Sequence, residues 1–303
     1  MRTKEIGENL FLIDLETGGF QNLIASYILK GAKTIIVETG PTSSVITLLS
    51  GLKEIGVKVE DVVYVALSHV HLDHGGGVGT LLKILPNAKV IVHPRGVPHL
   101  LNPEKLWVQS QKVLGHMAEI YGAPEPVPEN KIIAAAEGMT FDAGNDVRLK
   151  VVETLGHAAH NLSYCHLLTN GIFTGDAAGI YLSEFDVVIP TTPPPFRLGV
   201  ALASLNKLVN LNPALLYYSH FGKVADAVLR LKNYALQLKL WAGIAEEDVK
   251  NGRSMEAIKE RILAEDPTMR KIGSFLKANP IFMKTVVENS VQGFIDFATT
   301  PKL

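Results

Sequence analysis

The chain has 303 residues, 47% of them apolar, which is enough to bury a large core in one or two domains. Its 29 Lys and Arg residues against 30 Asp and Glu leave a formal charge of −1, so no excess positive charge is offered to a phosphate backbone and nucleic-acid binding is not expected. Cys165 is the single cysteine, which excludes an intrachain disulfide and fits a cytoplasmic setting. The opening Met1-Arg2-Thr3-Lys4-Glu5-Ile6 is charged and leads into no apolar signal segment. No membrane span is seen either, so a cytoplasmic protein away from membranes is the expectation.

In chain order, Leu10-Phe11-Leu12-Ile13, Leu23-Ile24-Ala25-Ser26-Tyr27-Ile28-Leu29 and the β-branched Thr34-Ile35-Ile36-Val37 read as strands. Glu38-Thr39-Gly40-Pro41 breaks the third. Thr42 or Ser43 is placed to cap a helix that carries Val45, Leu48, Leu49, Leu52 and Ile55 on one face. The apolar run Val62-Val63-Tyr64-Val65-Ala66-Leu67 returns as a buried strand, and strand, helix, strand is the order of an α/β fold.

Ser68-His69-Val70-His71-Leu72-Asp73-His74-Gly75-Gly76-Gly77 follows directly. Three imidazoles and a carboxylate within six positions are not what packing calls for at a strand end. They are what a metal ion calls for. His69 and His71 alternate in extended chain and leave from one side of the backbone, and Asp73 and His74 follow as the chain turns. Imidazole nitrogen and carboxylate oxygen suit zinc, and also iron or manganese, and one ion takes only about three or four such donors. The number of donors therefore points to two adjacent divalent ions, zinc first among the candidates.

Val78, Leu81, Leu82 and Leu85 continue as a short helical stripe, and Lys89-Val90-Ile91-Val92 as a strand closed by His93-Pro94. His93 reads as a strand-end residue with a local hydrogen bond, and His99 and His116 read the same way. Residues 95–138 form an elaboration whose Leu106, Trp107, Val113, Leu114, Met117, Ile120 and Tyr121 have helical spacing and pack on the core or reach over the site. Val147-Arg148-Leu149-Lys150-Val151-Val152 is a strand, followed by Gly156-His157-Ala158-Ala159-His160-Asn161, where the glycine allows a tight turn. Cys165 sits in a strand as a small buried hydrophobe. Gly171-Ile172-Phe173-Thr174-Gly175-Asp176 runs from strand into turn, and the prolines of 190–195 stiffen either a pocket wall or a surface connection. Leu215-Leu216-Tyr217-Tyr218 is the last strand pattern, ahead of His220; helical spacing then fills the remainder, with Asp266-Pro267 as one helix start.

The motif His69-x-His71-x-Asp73-His74 resembles the signature of the metallo-β-lactamase-fold hydrolases, and the resemblance extends over residues 9–223. It implies a four-layer αββα sandwich over 1–223, with the helical insertion at about 95–138, and a C-terminal α-helical extension over 224–303. Carried over residue by residue, His69, His71 and His157 hold a first metal, Asp73, His74 and His220 a second, and Asp176 bridges both. His160 falls where the family often has a second polar residue, which orients the ligands by hydrogen bonding or serves as a structural cap.

The implied chemistry is attack of a metal-activated hydroxide on a small ester, thioester or lactone-like carbonyl, with Asp73 delivering a proton to the leaving group. Within the superfamily a glyoxalase II-like branch is the nearest reading, although its glutathione-binding basic residues have no counterpart. Lactonases of similar site carry Tyr three residues after the bridging Asp, where this chain has Gly179, with Tyr181 two further on. Flavodiiron proteins carry Glu where His71 stands, and common zinc β-lactamases carry Cys where Asp176 stands. A mononuclear iron oxygenase of the sulfur dioxygenase kind is the alternative. The expected partner is a small-molecule substrate, and the C-terminal helices either cover the site or build a homodimer.

Overall fold

A computed structural model describes residues 2–300 of the chain. Met1 and residues 301–303, at the outer ends of the two domains read from sequence, lie outside the described residues. In chain order the strands are β1 (Thr3–Gly7), β2 (Leu10–Asp14), β3 (Ala25–Lys30), β4 (Thr34–Val37), β5 (Val62–Ala66), β6 (Lys89–Val92), β7 (Ile132–Ala134), β8 (Thr140–Asp142), β9 (Arg148–Glu153), β10 (Leu162–His166), β11 (Gly171–Gly175), β12 (Ile180–Leu182), β13 (Val187–Ile189), β14 (Leu215–Tyr218) and β15 (Gly222–Val224). Six of these, β1, β7, β8, β12, β13 and β15, have no pattern in the sequence reading, β7 lying inside the insertion read as helical. Each is a short edge strand or half of the β12–β13 pair, and tertiary pairing rather than alternation makes it extended.

The chain forms two compact units. The first holds the chain to Glu153, then His160–Gly175 and Ala214–Ala225; the second holds Thr154–Ala159, Asp176–Pro213 and the chain from Asp226 onward.

In the first unit β1 to β7 lie side by side in sequence order, antiparallel as far as β4 and parallel from there. The second sheet runs β15-β14-β11-β10-β9-β8, with β11 and β14 its parallel pair. Alternation sends Leu10, Leu12, Tyr27, Leu29, Ile35 and Val37 of the first sheet into a core shared with Leu149, Val151, Leu162, Tyr164, Phe173 and Tyr217 of the second. The opposite face of the first sheet carries Ile13, Ile28, Ile36 and Val65 against α1 (Val45–Glu54) and α3 (Val78–Leu82). Between those two helices lies α2 (Leu72–Gly75). The elaboration folds as α4 (Val97–Leu101), α5 (Glu104–Leu114) and α6 (His116–Tyr121), and Leu106, Trp107, Leu114, Met117 and Ile120 pack on that core as helical stripes do.

Two buried phenols tie the sheets together close to the strand ends. Tyr27 donates to the carbonyl of Tyr218, and Tyr164 to that of Leu67, each at 2.6 Å. Each bond fixes the backbone two residues ahead of a sequence-predicted ligand, His220 in one case and His69 in the other. The strand ends agree as well: Val37 is in register with Ala66, and Ala66 with Ile91, so β4, β5 and β6 leave the sheet along one edge.

The expected cap of α1 is not where the sequence reading put it. A 3₁₀ turn, Thr42–Ser44, precedes the helix, and Thr42 Oγ1 instead donates to the carbonyls of Gly76 and Ala123.

The second unit consists of the β12–β13 hairpin, α7 (Leu198–Asn210), and the C-terminal helices α8 (Ala227–Lys250), α9 (Met255–Glu265), α10 (Pro267–Lys271), α11 (Gly273–Ala278), α12 (Pro280–Phe282) and α13 (Asn289–Thr299). Asp266 caps α10 as its sequence suggests, accepting from the Thr268 N–H, and its other oxygen accepts from Gln237 and Trp241 of α8. Among the described residues no helix is long and apolar enough to cross a membrane.

Candidate metal centre

Five of the seven sequence-predicted ligands come together in the first unit. His69 is fully buried past the end of β5, with Nδ1 2.9 Å from Ser68 Oγ and Nε2 2.9 Å from Nδ1 of His71. His71 precedes α2, so the one-turn helix places Asp73 and His74 on its first turn. The carbonyl of His74 accepts from both the N–H and the hydroxyl of Thr39, at 3.0 Å each, which anchors α2 to the end of β4.

Asp73 Oδ2 lies 3.7 Å from Nε2 of His74 and 3.4 Å from Nε2 of His220. These three residues each present one donor atom within 4.8 Å of the other two. His220 is buried, and its Nδ1 is 2.8 Å from the carbonyl oxygen of Leu23. A carbonyl only accepts, so the hydrogen resides on Nδ1 and the lone pair is on Nε2, the atom that faces Asp73. A carboxylate and two imidazoles converging in this way form a donor set of the kind that binds zinc, iron or manganese.

His157 and Asp176 come together in the second unit. His157 Nδ1 donates to the carbonyl of Thr191 at 2.8 Å, which again reserves Nε2 for a ligand, and that atom is 3.5 Å from Asp176 Oδ2. Both side chains are buried. Gly156, ahead of His157, has φ +142°, in keeping with the turn read from the sequence. Gly175, ahead of Asp176, sits at φ +52°, and a Cβ there would overlap the side chain of Ser68.

His160 lies in the first unit with its ring 6.2 Å from that of His69 and 5.8 Å from that of His71. His99 differs from the sequence reading. It is on α4 rather than at a strand end, and its ring stands 6.0 Å from that of His160, with burial first and the charge of Lys105 second lowering its pKa. His93 does cap locally, with Nδ1 accepting from the Arg95 N–H and Nε2 2.9 Å from Glu153. His116 is exposed and pairs with Glu119.

Several residues that hold the sequence-predicted ligands in place carry no motif. Glu38 is buried at the end of β4, with one oxygen 3.6 Å from His74 Nδ1 and the other accepting from the Ser68 N–H at 3.1 Å. Ser68 and the carbonyls of Leu23 and Thr191 complete the supports. An acidic residue at a strand end along the edge that carries His69 was the available signal for Glu38. A supporting backbone carbonyl has none.

Fold and donors together define the class. A model of the Metallo-beta-lactamase superfamily matches residues 21–220. The metallo-beta-lactamase fold-containing protein ST1585 of Sulfurisphaera tokodaii is 30% identical over 215 residues, which is 69% of this chain and 77% of that protein. The crystal structure of ST1585 aligns with a TM-score of 0.66 at 29% identity, covering 76% of this chain and 86% of that one. The probable metallo-hydrolase MJ0888 of Methanocaldococcus jannaschii is 24% identical over 213 residues, 70% of this chain and 94% of its own. Thioesterase pkgB of Emericella nidulans is 30% identical over 156 residues, 49% of this chain and 36% of its own. The chain belongs to the metallo-beta-lactamase superfamily, with two mixed sheets, flanking helices and a helical C-terminal region. Its His and Asp clusters are those of a metal-dependent hydrolase of that superfamily.

Proposed function

We propose that the chain is a dinuclear hydrolase in which His69, His71 and His157 hold one divalent ion, Asp73, His74 and His220 the other, and Asp176 both. The observation that carries this reading is the convergence of Asp73, His74 and His220, with His220 locked in the tautomer a metal needs. The assignment of His157 and Asp176 to the same centre is supported by their lying, with the other five, inside the matched region 21–220.

Zinc is the first candidate for both ions because these donors match it, with iron or manganese as substitutes. When bound, the ions supply Lewis acidity: they lower the pKa of a water toward about 7 and polarise a substrate carbonyl. The chain's own residues do the rest. His220 and His157 each donate from Nδ1 to a carbonyl, which leaves the lone pair on Nε2, and Ser68 Oγ holds Nδ1 of His69. Asp73 turns Oδ2 toward His74 and His220 and keeps 22% of its side chain accessible, and it is the residue proposed to carry a proton to a leaving group. No side-chain nucleophile is required, and Cys165, a buried thiol whose pKa burial raises, is not one.

The substrate is proposed to be a small ester, thioester or lactone-like carbonyl compound. The partial similarity to thioesterase pkgB favours the thioester, the chemistry of a glyoxalase II-like branch. Elemental analysis of protein purified without added metal, followed by hydrolysis assays on ester, thioester, lactone and phosphodiester panels, tests the reading. Two ions per chain and carbonyl hydrolysis are expected; one iron per chain with oxygen consumption would overturn it in favour of a dioxygenase.

A further inference from the structure

Residues 190–197 follow β13 and include the carbonyl that holds His157. Both neighbours of Thr191 are bound to one residue of the C-terminal helix. Ser290 Oγ donates to the carbonyl of Pro190 at 3.0 Å and accepts from the Thr192 N–H at 3.2 Å, while Thr192 Oγ1 donates to the carbonyl of Ser290 at 3.2 Å. Ser290 and Thr192 are each only 2% exposed, so no solvent competes for these bonds.

One turn further along α13, a Cβ on Gly293 would overlap the carbonyl oxygen of Thr192, so only glycine lets helix and loop approach this closely. Phe294 then stands edge-on to Phe196 with centroids 4.9 Å apart, and packs against Trp241 of α8. Ser290, Gly293 and Phe294 are spaced i, i+3, i+4 and share one face. A π-helical turn, Met283–Glu288, leads into α13, and its wider turn resets which face the following residues present.

We propose that α13 fixes the tautomer and aim of His157 by clamping the loop behind it, with Ser290 the positioning residue. The chain of contacts is short: Ser290 holds Pro190 and Thr192, the carbonyl between them holds the Nδ1 hydrogen of His157, and Nε2 is left to coordinate. The superfamily model ends at residue 220, so this support comes from a part of the chain outside the matched region. The proposal rests on the reading of His157 as a metal ligand and extends it: the C-terminal helices are a working part of the centre.

Two substitutions test it in the full-length protein, Ser290→Ala, which removes the hydroxyl, and Gly293→Ala, which favours the helix but displaces the Thr192 carbonyl. Val287→Ala, at a fully buried position one turn ahead, is the control for stability alone. In metal-free protein with 15N-labelled histidine, His157 is expected as the Nδ1–H tautomer in the wild type and the Val287→Ala variant. Both test variants should show mixed tautomers. Zinc affinity, measured by chelator competition, should weaken about 10- to 100-fold in the two variants, the effect usual for lost support of a ligand, and stay near wild type in the control. Unchanged tautomer and affinity in both variants would overturn the clamp, as would equal losses in Val287→Ala. Failure of the wild-type His157 resonance to move on adding zinc would instead overturn the ligand assignment, while the tautomer comparison still decides the clamp.

Discussion

Glu38 and His74 face each other with a carboxylate oxygen 3.6 Å from Nδ1, at side-chain exposures of 1% and 0%. A buried carboxylate behind a ligand imidazole raises the basicity of the coordinating nitrogen and holds the ring in place. The same Glu38 accepts from the Ser68 N–H, so one side chain fixes the backbone before His69 and the ring of His74. Glu38→Gln keeps an acceptor for Ser68 and loses the charge. It should remain folded and hold metal about 10- to 100-fold more weakly. Glu38→Ala should in addition lose about 1–3 kcal/mol of stability, because the Ser68 N–H is left buried without a partner. Chelator competition together with urea unfolding separates the two effects, and equal metal affinity in Glu38→Gln and wild type would remove Glu38 from the centre.

Asp73 has two tasks in the proposed reaction, and leaving-group chemistry distinguishes them. Asp73→Asn retains an oxygen toward His74 and His220 but has no acidic proton to give. With a poor leaving group kcat should fall about 10²- to 10⁴-fold, the usual contribution of a general acid. With an aryl thiolate, which leaves without a proton, the fall should be much smaller at equal metal content. A uniform loss across leaving groups would mean that Asp73 serves as a ligand only.

The parts of this centre that were legible in the sequence are those held by local spacing. His69, His71, Asp73 and His74 are close in the chain, so β5 and the one-turn α2 bring them together wherever the rest of the molecule lies. His220 is nearly 150 residues away, and family resemblance located it; the bonds from Tyr27 to Tyr218 and from His220 to Leu23 are what hold it there. Thr191 was not legible at all, because a backbone carbonyl leaves no trace in side-chain pattern, and the proline run around it read equally well as a connection. Edge strands failed for a related reason. Gly222-Lys223-Val224 has no apolar alternation and is extended only because β14 offers it a ladder. His99 and His116 are on helices rather than at strand ends because the chain after β6 continues as the short helices α4 to α6.

Cys165 is buried on β10, and burial raises its thiol pKa while Lys150 lowers it more weakly. The thiolate is the reactive species, so a buried thiol held in its neutral form reacts slowly. An aromatic disulfide reagent at pH 8 should label the native protein slowly and the urea-unfolded protein at once, with one thiol per chain. Cys165→Ala should leave turnover unchanged. Loss of activity on labelling the native protein, before any unfolding, would give the thiol a part in the site that its position argues against.

His166 makes the acid sensitivity of the fold measurable. It is 1% exposed at the end of β10, with Nδ1 2.9 Å from Thr169 Oγ1, and burial lowers its pKa from 6.5 to about 4. The unfolded chain therefore takes up this proton near pH 6.5 while the folded chain resists it down to about pH 4. Its contribution to stability is complete above pH 6.5 and is lost as the pH falls through that window, amounting to about 2 kcal/mol between pH 7 and pH 5. Other histidines add to the slope, so the comparison is with His166→Gln, which cannot titrate. Urea unfolding of metal-free protein at both pH values should show the variant less stable than wild type at pH 7 and the gap smaller by about 2 kcal/mol at pH 5. A gap that stays constant with pH would mean that the folded imidazole is protonated as readily as the unfolded one.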